Sequence, residues 1–131
     1  MRASGRWHTR GRRVVYCSES SAAALLEILV HFEIYVRHLP ARYRQLKLHA
    51  PEDLMIEELQ AKLPADWLER TDLTRSHGDR WLQTGRSPLL RVPSAVVPET
   101  FNVLLNPGHQ HSGRVGVVQV SDHALDPRLF K

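Results

Sequence analysis

Apolar positions fall into short runs divided by polar and proline-containing stretches, and each run carries its own period. Met1 to Arg13 is polar and holds two glycines, so it reads as a loop. Val14-Val15-Tyr16-Cys17 is β-prone. Ser18 to Ser21 then supplies several helix caps, and Ala22 to Tyr35 has the three- and four-residue apolar spacing of a helix that Pro40 closes off. Gln45 to Ala50 alternates, with Leu46 and Leu48 apolar, and predicts a strand. Pro51 to Leu59 has no decisive period, and Pro64 to Trp67 reads as a turn into a short helical piece. Thr74 to Ser87 is the least regular stretch, with Gly78 to Leu82 as a place where a helix can begin. Leu89 to Val92 and Ser94 to Val97 predict two strands separated by Pro93. Asn102 to Leu105 and Val115 to Val120 predict two more. The pattern implies one α+β domain, helices early and strands late.

Composition narrows the class. The chain has 131 residues, enough for one core, with 42% hydrophobic and 24% charged residues. Its longest apolar run, Ala22 to Val30, is broken by Glu27 and is too short to cross a bilayer. The arginines near the start have no apolar region behind them, which argues against a signal peptide and against membrane association. Cys17 is the only cysteine, so no internal disulfide forms; this fits the cytoplasm, and its place in a strand favours a structural thiol over a nucleophile. The net charge of +4 invites nucleic acid, but the basic residues are spread among acidic ones. An anionic small molecule or an acidic partner explains the excess equally well.

Several chemistries lack support. His109-x-His111 and the later His123 lack the ligand set of a zinc site and read as loop histidines. No GxGxxG, P-loop or Gly-x-Ser-x-Gly pattern occurs. Three other groups remain. In Gly5-Arg6-Trp7 an arginine beside a glycine can present its guanidinium to phosphate oxygens; a surface arginine next to a core tryptophan is the competing reading. Glu27 shares a helix face with Ala23 and Ala24, where a half-buried carboxylate needs partners; a rim glutamate bound by an arginine competes. Ser94 lies between Pro93 and Pro98, followed by Asn102 and Asn106, which otherwise read as ordinary strand-end and turn residues.

Taken in order, these motifs resemble the RES domain, the toxin half of bacterial RES–Xre toxin–antitoxin pairs. The resemblance is carried by Gly5-Arg6-Trp7, Val14-Val15-Tyr16, Ala24-Leu25-Leu26-Glu27, Leu63-Pro64 with Trp67, and Gly78-Asp79 with Trp81. It continues through Val92-Pro93-Ser94, Asn102 with Leu105-Asn106-Pro107 and His109, and Asp126-Pro127-Arg128-Leu129. It implies a compact fold like the diphtheria-toxin-type ADP-ribosyltransferase domain, filling residues 1–131 without the family's first strand. Ser4-Gly5-Arg6-Trp7-His8 stands where the family usually has Gly-Gly-Arg-Trp-Asn. It further implies an enzyme that consumes NAD+ as substrate with no other cofactor and no metal. Glu27 would stabilise the developing charge at the ribose, Arg6 would clamp the pyrophosphate and Ser94 would hold the nicotinamide ribose. Tyr16 would stack on nicotinamide or bond a phosphate, and Asn102 would assist. The expected partner is an Xre-type helix-turn-helix antitoxin, the toxin alone not binding nucleic acid. Two alternatives stay open: a remnant that only binds its antitoxin, and a small basic nucleic-acid-binding protein. NAD+ turnover separates the first from an enzyme, and steeply salt-dependent binding identifies the second.

Overall fold

A computed structural model describes residues 4–31, 41–59 and 62–130. Six strands and two α-helices are present among them: β1 (Val15–Ser18), α1 (Ser21–His31), β2 (Arg42–His49), β3 (Ile56–Glu58), α2 (Thr71–Thr84), β4 (Leu89–Pro93), β5 (Phe101–Leu105) and β6 (Gly116–Ala124). The order within the main sheet is β1-β5-β4-β3, antiparallel except for the parallel β3–β4 pair, and β2 and β6 form a separate antiparallel ribbon. The α+β class expected from the pattern is what the chain adopts. The early-helix, late-strand division is not, because β1 closes against β5 from the far end of the sequence.

Side chains two apart on a strand share a face. Val14, Leu90, Val92 and Leu104 therefore point to one side of the sheet, where they pack with Trp7, Leu59 and Trp81 to make the core. The same face carries Tyr16 and Ser18 farther along β1 and Asn102 on β5, so the core runs out into a polar margin. On the other face the Arg91 guanidinium lies 3.7 Å from the Phe101 ring centroid and reaches Glu19 and Glu58, tying β3 and β4 to the turn before α1. The ribbon is thinner. Leu46, Leu48, Val117, Val118 and Val120 stay exposed on it.

Two stretches depart from the pattern. Residues 71–84 are one continuous helix, α2, where the pattern gave irregular chain with a helix able to begin only at Gly78. Its buried residues are Thr74, Gly78 and Trp81, a stripe at helical spacing made largely of small or polar side chains, which an apolar count does not register. Gly85, with φ 61°, ends it: its N–H bonds the Trp81 carbonyl in the left-handed cap that glycine favours. Ser94 to Val97 is not a strand. The Ser94 hydroxyl accepts the N–H groups of Val96 and Val97 at 3.1 and 3.0 Å, which curls the chain into a turn just beyond β4. Helix α1 starts where capping predicted, with Ser20 Oγ accepting the Ala23 N–H. The expected continuation of that helix to Tyr35, and Pro40, lie outside the described residues.

Candidate active site

The sequence-predicted residues come together in two adjoining groups at the polar end of the core face. The first centres on Glu27. Helix α1 delivers its carboxylate to the ends of β4 and β5, half-buried as its alanine neighbours suggested. Ser94 Oγ donates to Glu27 Oε1 at 3.0 Å, and Asn102 Nδ2 donates to the same oxygen at 2.9 Å. Ser18 Oγ donates in turn to Asn102 Oδ1 at 3.2 Å. The donors form a directed chain: Ser18 fixes which way the Asn102 amide faces, and the Val96 and Val97 N–H groups occupy Ser94 Oγ as acceptor so that its own hydrogen turns to the glutamate. Everything converges on one carboxylate oxygen. Both donors meet Oε1, and among the described residues none meets Oε2.

The second group is the Gly5-Arg6-Trp7-His8 loop. Its carbonyls turn toward α2. Arg75 Nε donates to the Gly5 carbonyl at 2.7 Å, Thr74 Oγ1 donates to the Arg6 carbonyl at 2.6 Å, and the Trp7 carbonyl lies against Gly78 so closely that no Cβ fits there. Its N–H side turns toward β1, where the Trp7 N–H donates to Tyr16 Oη at 3.1 Å. The Tyr16 hydroxyl and His8 Nδ1 share a hydrogen bond of 2.7 Å, and His8 is buried. Beyond it Thr9 bonds Asp79 through both its N–H and its hydroxyl, and Arg12 pairs with the same carboxylate. Arg6 Nη1 donates to the Leu68 carbonyl at 3.1 Å, so its guanidinium reaches the short 3-10 turn Trp67–Glu69 that precedes α2.

Tyr16 belongs to the second group and shares its strand with a residue of the first. The residue stays 40% exposed while its hydroxyl is engaged by the Trp7 N–H and His8. Burial pushes the phenol up from its usual range, with the Trp7 N–H bond and the Arg75 and Arg6 charges pulling the other way, so it stays protonated. Ser18, which orients Asn102, lies two residues along the same face of β1, about 6–7 Å away by strand geometry. Arg6 and Glu27 are therefore referred to one strand.

Three contributors to the site escaped the sequence reading: Ser18, Thr74 and Arg75. Ser18 was within reach, because alternation from Tyr16 puts it on the same strand face; Thr74 and Arg75 were not, since the pattern allowed a helix to begin only at Gly78, after both of them. Asn106 lies elsewhere, at the opposite end of β5 from Asn102, and its carbonyl accepts the Ser112 hydroxyl in a buried bond. Burial pushes the Cys17 thiol up, away from the reactive thiolate. His109 Nδ1 accepts the His111 N–H within its own loop. Among the described residues no group of three or more His, Cys, Asp or Glu is placed to hold a metal ion, and no helix is long and apolar enough to cross a membrane.

Comparison with known proteins places the chain in a family and its fold beside a solved structure. The RES domain family matches residues 1–127. The Toxin Res of Pseudomonas putida is 42% identical over 99% of this chain and 88% of its own. The Prs ADP-ribosylating toxin of Sphingobium is 32% identical over 97% of this chain and 81% of its own. A chain in the crystal structure of the M. tuberculosis MbcT–MbcA toxin–antitoxin complex superposes with a TM-score of 0.74 over 96% of this chain and 74% of that one, at 18% identity, and so shares the fold. The compact fold expected from the resemblance agrees with that likeness. The chain belongs to the RES domain family.

Proposed function

We propose that this protein is the toxin of a toxin–antitoxin pair and cleaves NAD+ at the bond between nicotinamide and ribose. The observation that carries the reading is the convergence of Ser94 and Asn102 on one oxygen of Glu27, beside an arginine loop built around Tyr16. It is supported by the family and by a relative whose name is an ADP-ribosylating toxin.

The chemistry suits these residues. As the bond from C1′ to the nicotinamide nitrogen breaks, its electron pair leaves with a neutral pyridine, so no strong acid is required. Positive charge grows over C1′ and the ring oxygen. The Glu27 carboxylate, oriented beforehand by two donors, stabilises that charge and positions the ribose hydroxyls. Ser94 adds a contact to the nicotinamide ribose, Arg6 takes the pyrophosphate, and Tyr16 flanks the nicotinamide or a phosphate. Water, free phosphate or a protein nucleophile then bonds to C1′ and gives up a proton where it carries one. NAD+ enters as substrate, and the protein acts in the cytoplasm, where an Xre-type helix-turn-helix antitoxin restrains it.

Purified protein should consume NAD+ and release nicotinamide. Glu27→Ala and Arg6→Ala, checked for equal folding, should each lower turnover sharply, by about 10²-fold or more for Glu27. Turnover unchanged by either substitution would sink the site assignment, and its absence from every form would favour a protein that only binds its antitoxin.

A further inference from the structure

Four of the described arginines are half-buried: Arg6, Arg12, Arg75 and Arg91. Arg12 is paired with Asp79, and Arg91 with Glu19 and Glu58. Arg6 and Arg75 have no carboxylate partner among the described residues, and both serve the same loop. Arg75 Nε donates to the Gly5 carbonyl, and Gly5 is so near Tyr16 that a Cβ there would come within 2.5 Å of its hydroxyl. The charges of both arginines reach that phenol. Asp79, whose charge also acts on that phenol, is already occupied by Thr9 and Arg12.

Both charges act on the Tyr16 phenol, and two such cations without a carboxylate partner favour binding of an anion nearby. Among the described residues Arg75 spends only Nε, leaving both Nη groups of its planar fork for a bidentate contact. We propose that Arg75 is a second diphosphate-binding residue, its Nη groups gripping the phosphates of the dinucleotide from the α2 side while Arg6 grips them from the loop. The assignment rests on the NAD+ reading above and adds the residue that completes its phosphate site. Helix α2 would thus support the loop through Thr74 and meet the substrate through the next residue.

The test is calorimetric binding of ADP-ribose and of inorganic pyrophosphate to wild type, Arg75→Gln and Arg75→Lys, with melting temperature and NAD+ kinetics beside it. Arg75→Gln should weaken both ligands roughly ten- to hundredfold, the scale of a charge-assisted contact. Its ADP-ribose binding should also lose part of its sensitivity to ionic strength. KM for NAD+ should rise by a larger factor than kcat falls, as for lost uniform binding. Arg75→Lys, which keeps charge without the fork, should fall between, and decides the matter if the glutamine variant does not fold. Unchanged affinity for both ligands in a folded variant overturns the role of Arg75, as does a loss confined to kcat and melting temperature, which marks a structural residue. A wild-type protein that binds neither ADP-ribose nor NAD+ overturns the NAD+ reading itself, and this inference with it.

Discussion

Gly78→Ala sets two physical effects against each other with opposite signs. In an ordinary helix interior, alanine is about 1 kcal/mol more favourable than glycine. Gly78 occupies the middle of α2, so propensity alone predicts a more stable protein. The packing predicts the reverse. A Cβ at that position would run into the Trp7 carbonyl oxygen, with the Trp7 carbonyl carbon at 2.7 Å and its Cβ at 3.2 Å behind it. The obstacle is mainly backbone, so no rotamer change relieves it; the loop has to move. Overpacking of this kind costs about 1–3 kcal/mol. At the upper end, after the propensity gain is subtracted, the net loss is about 2 kcal/mol, or roughly 6–10 °C in Tm for a chain of this size. The moving segment carries Arg6, and a misplacement of about 1 Å at a reacting geometry costs about 10²-fold in rate. Thermal denaturation and nicotinamide release should therefore both report the change. Gly113→Ala, with nothing near the added atom, should alter neither. A Gly78→Ala protein with an unchanged or raised Tm and wild-type turnover would refute the claim that α2 holds the arginine loop by direct contact.

Two further outcomes follow from single side chains. Ser94→Ala deletes a donor to Glu27 and the acceptor of two backbone N–H groups, so it should cost about 1–3 kcal/mol in denaturant unfolding. It should also lower turnover more than its stability loss explains; wild-type values for both would dissolve the network described. His77 is held below its ordinary value, first by burial and then by Arg80 and Lys62. The unfolded chain therefore binds the proton more readily, and stability present above pH about 6.5 is lost as pH falls below it. Tm scanned from pH 7.5 to 5 should decline less in His77→Gln than in wild type, and parallel slopes would contradict the assignment.

What was legible in the sequence follows from what burial looked like there. Val14 to Cys17, the start of α1 and the strands at 89–93 and 101–105 carry apolar signals that match their surroundings, so pattern and structure agree. Helix α2 buries threonine, glycine and one tryptophan, because its task is to approach a loop backbone closely rather than to fill a cavity; close approach selects small side chains and erases the periodicity. The Ser94 turn misled for the opposite reason. Its apolar residues suggested a strand, while a hydroxyl captured the N–H groups a strand would need. Glu27, Ser94 and Asn102 were singled out one by one, but their meeting across 67 and 75 residues is a consequence of topology, invisible to local spacing. Arg75 gave no signal because an arginine without a counter-ion is recognisable only once its neighbours are known.

The two halves of the site are coupled more tightly than their separation along the chain suggests, and β1 is the reason. Tyr16 fixes the arginine loop and Ser18 fixes the amide that orients Glu27, on one face of a four-residue strand. Sliding β1 by one residue against β5 would turn both side chains away from the core face together. Val14 opposes such a slip, since it is buried on that face next to Trp7 while its neighbour Val15 is exposed. The Ser18–Asn102 bond opposes it at the other end, joining residues that are also register partners. Register, ordinarily a property of the fold, thereby becomes a determinant of the distance between the cation that would hold the phosphates and the carboxylate that would act at the ribose. A substitution such as Val14→Thr, far from any reacting atom, is then expected to disturb substrate binding and turnover jointly. A change at Ser94 should instead act on the carboxylate and leave the loop in place.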